Sequence, residues 1–242
     1  MKKYKTLVLF VIGIGLIIAG LGLGGHKQIN EMIPVDLLNK LNIKNMNFLS
    51  LNNGYHNYSY DFQHGIYDLE LSLRDAVINI KKDHVENIKM NVKDANNDFL
   101  VTDGDTLIIT GGKFIPINNR TTRIEIVVPH DFQFNDVSID VGAGKLEIDN
   151  LLADILNVDV GAGELLVNGR IFKEINVNCG IGNVIIESKE SLNHFGHNVD
   201  CAIGNVIIGD ERYSGIVDIE SHHDEKMINI DCGIGNVEIK ED

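Results

Sequence analysis

The chain has no tryptophan, and only 6% of its 242 residues are aromatic. With valine and isoleucine plentiful, that composition suits small repeated layers better than a globular helix bundle. Catalytic signatures are missing too. There is no G-x-S-x-G elbow, no H-E-x-x-H helix, no phosphate loop and no dinucleotide fingerprint. The chain is therefore expected not to be an enzyme and to need no cofactor. Positive charge is short: 21 Lys and Arg stand against 35 Asp and Glu, a formal net charge of −14. Without Lys2, Lys3 and Lys5 the remainder carries −14 − 3 = −17. Such a chain is not expected to bind nucleic acid or an anionic lipid surface, but it could attract cations or a basic partner. Cysteine is scarce as well, at three residues. An odd number cannot all pair within the chain.

What is present is repetition. The phrases VSIDVGAGKLEI, LNVDVGAGELLV, INVNCGIGNVII, NVDCAIGNVII and INIDCGIGNVEI recur through the last hundred residues. Their matching residues Val141, Val160, Cys179, Cys201 and Cys232 are 19, 19, 22 and 31 apart. A near-fixed period of this size predicts a solenoid, each repeat being one coil stacked on the last. Within a phrase apolar residues alternate and then shift parity. Val137, Ile139, Val141 and Ala143 are followed by Leu146 and Ile148, and Ile175, Val177, Cys179 and Ile181 by Val184 and Ile186. Alternation marks a strand with one buried face, and the parity shift marks a corner at Gly142–Gly144 and its equivalents. Glycine is expected there for its backbone freedom. Each rung is then two short strands and two turns, with like strands stacked in parallel.

Stacking puts equivalent residues in columns about 4.8 Å apart. The inward columns are Val137, Leu156, Ile175 and Ile228; Ile139, Val158, Val177, Val199 and Ile230; and Val141, Val160, Cys179, Cys201 and Cys232. Asn183, Asn205 and Asn236 share one turn and are expected to form a structural ladder. Upstream, Leu69, Leu71 and Leu73, then Ile78 and Ile80, fit the template of Val137, Ile139 and Val141, then Leu146 and Ile148. Arg74-Asp75-Ala76 replaces the glycine corner. Ile88, Met90 and Val92, with Phe99 and Val101, resemble a further rung, and Thr106–Thr110 and Arg123–Val128 read as strands. Residues 66–242 are thus expected to be the solenoid domain, with Lys240-Glu241-Asp242 as a charged end against edge-to-edge growth.

Residues 1–25 are a separate object. Lysines 2, 3 and 5 precede a run without charge from Leu7 to Gly25. At about 1.5 Å per residue it spans roughly 28 Å, close to a bilayer core. The lysines should stay cytoplasmic, which puts the rest outside in a single pass. A cleaved signal peptide is the rival, and the length of the run favours a retained anchor. No cysteine follows it, so a lipid-modified terminus is not expected. Residues 26–65 read as an asparagine-rich stem and entry segment.

Four sets of residues are candidate sites. Asp140, Asp159, Asn178, Asp200 and Asp231 hold one outward place, flanked by Ser138, Asn157, Asn176, Asn198 and Asn229. The four aspartates are candidate metal ligands, since calcium takes six to eight oxygens. A solvated sheet face is the plainer reading. Cys179, Cys201 and Cys232 continue a valine column and read as small buried hydrophobes. His194 and His197, with His222, His223, Asp224 and Glu225, could meet a transition metal only if a framework fixed them. Leu166, Ile185 and Ile207 point outward where end rungs carry Glu147 and Glu238. Coverage by the upstream segment, or an interaction patch, accounts for them.

The repeated GxG followed by an apolar strand, the RIEIVVP segment at Arg123–Pro129 and the amino-terminal span together resemble the bacterial putative-adhesin family of membrane-attached β-solenoid ectodomains. The resemblance covers residues 66–242. It implies a single-stranded parallel β-helix and a non-catalytic role in the cell envelope, several relatives sitting beside envelope-stress systems. It brings no catalytic residue with it. The leading expectation is a membrane-anchored, extracytoplasmic, adhesin-like binding module whose partner is a cell-envelope polymer or a membrane protein. The alternatives are a polysaccharide-active solenoid enzyme and a divalent-cation sensor.

Overall fold

The alternating segments fold as strands. The structure is a computed structural model that describes residues 55–63, 65–96, 98–111, 121–221 and 226–242. The expected anchor and most of the stem lie outside the described residues, as do residues 222–225. No α-helix occurs among the described residues, and no described helix is long and apolar enough to cross a membrane.

The strands are β1 (His56–Asp61), β2 (Asp68–Leu73), β3 (Ala76–Asp83), β4 (Lys89–Ala95), β5 (Leu100–Thr102), β6 (Thr106–Gly111), β7 (Thr122–Pro129) and β8 (Phe134–Val141). Two long bent strands follow, β9 (Lys145–Val160) and β10 (Glu164–Cys179). Then come β11 (Asn183–Ser188), a 3-10 turn at Leu192–His194, β12 (Gly196–Cys201), β13 (Asn205–Ile208), β14 (Glu211–Ser214), β15 (Val217–Ser221), β16 (Met227–Cys232) and β17 (Asn236–Glu241).

Parallel pairing runs through two ladders. The first is β6, β2, β8, the second half of β9, the second half of β10, β16 and β12. The second is β7, β3, the first half of β9, the first half of β10, β11, β17 and β13. Antiparallel strands finish the ends: β5 on β6, β15 on β12, β14 on β13, and β4 then β1 on β7. The sheet is therefore mixed, and it does not close on itself. The predicted inward columns are buried, with Val137, Leu156, Ile175 and Ile228 wholly so.

Ladder hydrogen bonds continue through the corners. Gly161 N donates to Val141 O at 3.0 Å, Gly180 N to Val160 O at 2.8 Å, Gly233 N to Cys179 O at 2.8 Å and Ala202 N to Cys232 O at 2.9 Å. The corner glycines serve this close approach more than backbone freedom. Of those in the repeats only Gly144 has a left-handed φ, at 136°. A Cβ on Gly182 would lie 2.7 Å from Gly163 O. The parity run also ends one residue pair early: Ala143 and Ile181 lie in the corner and are exposed, not inward.

The rungs do not stack in chain order. The last rung, β16–β17, lies between β10–β11 and β12–β13, so the cysteine column reads Cys179, Cys232, Cys201. At the other end β2–β3 lies between β6–β7 and β8–β9. The charged tail at Lys240-Glu241-Asp242 consequently ends an interior strand and guards no edge. The rung expected at Ile88–Val101 is instead two separate antiparallel strands, β4 between β7 and β1 and β5 on β6. On the upstream template Leu69 pairs with Val137 and Leu71 with Ile139 as expected, but Ile78 pairs with Ile148 and Ala76 with Leu146. The corner there is two residues shorter, because Asp75 turns in a left-handed conformation at φ 53°. Its carboxylate accepts from Lys145 N at 3.2 Å.

Candidate ligand-binding face

The outward side chains of the first ladder form two in-register rows. One runs Glu70, Ser138, Asn157, Asn176, Asn229, Asn198. The other runs Ser72, Asp140, Asp159, Asn178, Asp231, Asp200, and Asp218 of β15 extends it. Period-two alternation places both rows on the face opposite the core. In the first row the carboxamides bond along the stack. Asn229 Nδ2 donates to Asn176 Oδ1, Asn176 Nδ2 to Asn157 Oδ1, and Asn157 Nδ2 to Asp136 Oδ1, each at 2.8 Å. A carboxamide used this way keeps a second N–H and a second lone pair for another partner. At the turn where the sequence predicts a ladder, Asn205 Nδ2 donates to Asn236 Oδ1 at 3.0 Å.

The aspartates of the second row are exposed. Asp140 pairs with Asp159 and Asp231 with Asp200, while Asn178 separates the two couples. No group of three or more His, Cys, Asp or Glu among the described residues is placed to hold a metal ion. A row one residue wide offers too few oxygens for calcium. Between and around the rows runs a shallow trough of about 850 Å³. Its walls include Glu70, four aspartates and five asparagines, with Ile139, Val158, Val177 and Ile230 beneath, and no lysine, arginine or aromatic residue lines it.

The three cysteines lie behind this face, buried as free thiols in one column. Cys232 donates toward Cys179; this holds the Cys179 thiol below its ordinary range and pushes that of Cys232 up. Burial, helped by Cys232, pushes Cys201 up to about 11.

His197 ends the first inward column, paired with Ile228. Its Nε2 meets Tyr213 Oη at 2.8 Å and Glu211 Oε2 at 3.3 Å, and its Nδ1 meets Ser221 Oγ at 3.2 Å. Tyr213 also donates to Glu211. Burial first, and that bond second, push the Tyr213 hydroxyl up to about 12. These contacts pin β14 and β15 over the end of the core. His194 lies in the 3-10 turn and is exposed, so the HxxH pair splits between solvent and core.

Leu166, Ile185 and Ile207 are half-buried, and Glu147 and Glu238 stand beside them in the same row. Lys145 pairs with Glu147 and Glu164, and Lys240 with Glu187 and Glu238. The upstream strand β1 does not cover it, pairing instead with β4. Ile181, Ile234 and Ile203 line successive corners, exposed.

Sequence reasoning found both outward rows. It missed the hydrogen bonding within the asparagine row, whose signal was Asn157, Asn176 and Asn229 recurring at one outward place. It also missed the neighbours of His197, because Glu211, Tyr213 and Ser221 belong to an insertion outside the repeat.

No protein-family model matches the chain, and no curated protein matches it. The fold is similar to that of a solved putative cell adhesion protein from Clostridium sporogenes. That similarity has a TM-score of 0.53 at 16% identity and covers 78% of this chain and 100% of the other. A putative adhesin from Bacteroides fragilis aligns at a TM-score of 0.35 and 15% identity, over 78% of this chain and 99% of its own. One from Parabacteroides distasonis aligns at 0.28 and 8%, over 79% and 98%. At these identities the first similarity establishes fold alone, and the other two carry no argument.

Proposed function

We propose that this chain is an adhesin-like binding module: a non-catalytic β-solenoid, held on the extracytoplasmic side of a membrane by residues 7–25, that presents its trough to a polymer of the cell envelope. One observation carries the reading. The trough repeats the same carboxamide and carboxylate chemistry over successive rungs, and no described strand packs on it. Catalysis would call for one differentiated pair of groups. A face of equivalent groups suits a repetitive ligand, because many weak contacts add through effective concentration. The run of uncharged residues after Lys5 supports the anchor. The cell-adhesion name of the Clostridium sporogenes structure agrees with the role.

The test uses the full chain in detergent micelles, mixed with washed bacterial envelopes and sedimented, alongside neighbour identification by cross-linking in intact cells. Co-sedimentation is expected, and it should drop at least fivefold in the variant D140N/D159N/D200N/D231N. If the chain neither sediments with envelopes nor cross-links to any envelope component, the reading is overturned. Protease added outside intact cells should cut the carboxyl-terminal domain; complete protection would place it on the other side.

A further inference from the structure

We infer that the trough takes a linear polysaccharide bearing free primary amines, an inference that rests on the binding reading above and names its ligand class. Charge comes first. Glu70, Asp140, Asp159, Asp200 and Asp231 line the trough, and no lysine or arginine does. None of the four aspartates is ion-paired within the described residues; the lysines on the opposite ladder are engaged by Glu147, Glu164, Glu187 and Glu238 instead. An anionic polymer would be repelled, and a cationic one would relieve the repulsion along the row.

The second step concerns shape and hydrogen bonding. The backbone of this face is used up in parallel ladders, so an extended peptide finds no free N–H or C=O to pair with. What the face does offer is side chains: carboxamides with a spare N–H and lone pair in one row, carboxylates in the next. Each amino-sugar unit carries hydroxyls for the first row and an ammonium for the second. Rungs repeat at about 4.8 Å, close to the advance of one pyranose ring along a chain, so successive units can meet successive rungs, every second unit of a 1,4-β-linked chain turning its ammonium toward the carboxylate row. A neutral sugar would want an aromatic platform to stack on, and the trough has none. Asn178 interrupts the carboxylates between Asp159 and Asp231, so the ligand is held by two acidic couples with an uncharged step between them.

Calorimetry on the full chain in detergent micelles tests this with three probes: the hexamer of glucosamine, the hexamer of N-acetylglucosamine, and hexalysine. The glucosamine hexamer is expected to bind, with the other two at least tenfold weaker. Its affinity should fall at least tenfold in D140N/D159N/D200N/D231N, and fall with added salt. Asn178 already occupies this row, so asparagine is compatible with the register, and an unchanged melting temperature verifies that the variant is folded. Equal binding of the acetylated hexamer would remove the ammonium from the recognition. Equal binding of hexalysine would reassign the trough to basic peptide. Unchanged affinity in the variant would move the site elsewhere. If no glycan binds while envelope co-sedimentation persists and depends on the four aspartates, the amine assignment falls and the binding role stands.

Discussion

Gly235 sits with Gly182 on one side and Gly204 on the other. A Cβ added to it would lie 2.6 Å from Gly182 O and 2.9 Å from Cys179 Sγ. Neither a ladder carbonyl nor a buried thiol can move away freely, so the rung must lift. G235A is expected to lower stability by about 2 kcal/mol, the usual scale of overpacking, read as a shift in the urea midpoint. G104A, where a Cβ meets nothing within 4 Å, should leave it unchanged. The first glycine of the corner is less strict, since Ala202 occupies that place in its own rung. Cys201 gives a pH signature. Its folded value is raised from 9.0 to about 11, so the folded state holds its proton longer than the unfolded chain. The resulting stability is fully present below pH 9 and is lost as pH rises toward 11. Between those limits the wild type should lose about 2 kcal/mol more than C201V, measured as the difference in unfolding midpoints across a pH series.

Strands β16 and β17 come last among the described strands and yet lie inside both ladders. Ile228, Ile230, Cys232, Val237 and Ile239 are all buried there. Deleting residues 226–242 removes the parallel partners of β12 and β13, not a fraying end. The expected result is loss of amide protection across β12–β15 and a broadened thermal transition, followed by hydrogen exchange. Deleting residues 55–61 takes away only β1, whose strand positions are exposed or half-exposed, and should lower the melting temperature by a few degrees at most. Much at this scale was legible in the sequence. The GxG phrases gave the strand pairs, the corners and the inward columns because burial imposes a period of two and each corner resets it. Rung order was not legible: Cys201 and Cys232 sit in nearly identical phrases, and only contacts across the stack decide which lies beside Cys179. The shortened corner at Arg74-Asp75 escaped because a single left-handed residue changes the register without changing the apolar pattern. The candidate face was legible as two rows of residue types. The trough and the bonds joining Asn157, Asn176 and Asn229 depend on how closely the rungs approach.

As a whole, the described domain is a parallel stack closed off by antiparallel strands: β5 with three residues, β14 with four, β15 with five, and β1 beyond β4. Short edges limit edge-to-edge growth. Excising residues 209–221 strips β14 and β15 together with the partners of His197, leaving the parallel edges of β12 and β13 bare. Concentration-dependent assemblies are expected, visible by sedimentation velocity and by thioflavin fluorescence; a strictly monomeric product would show that these two strands guard nothing. The interior place of β16 and β17 has a consequence in time. A ribosome releases those residues after β1–β15, and until it does β12 and β13 lack their parallel partners. Completion of both ladders therefore waits for the codons of residues 227–241, and any nascent chain stalled short of them carries an open slot that strands of another molecule could enter.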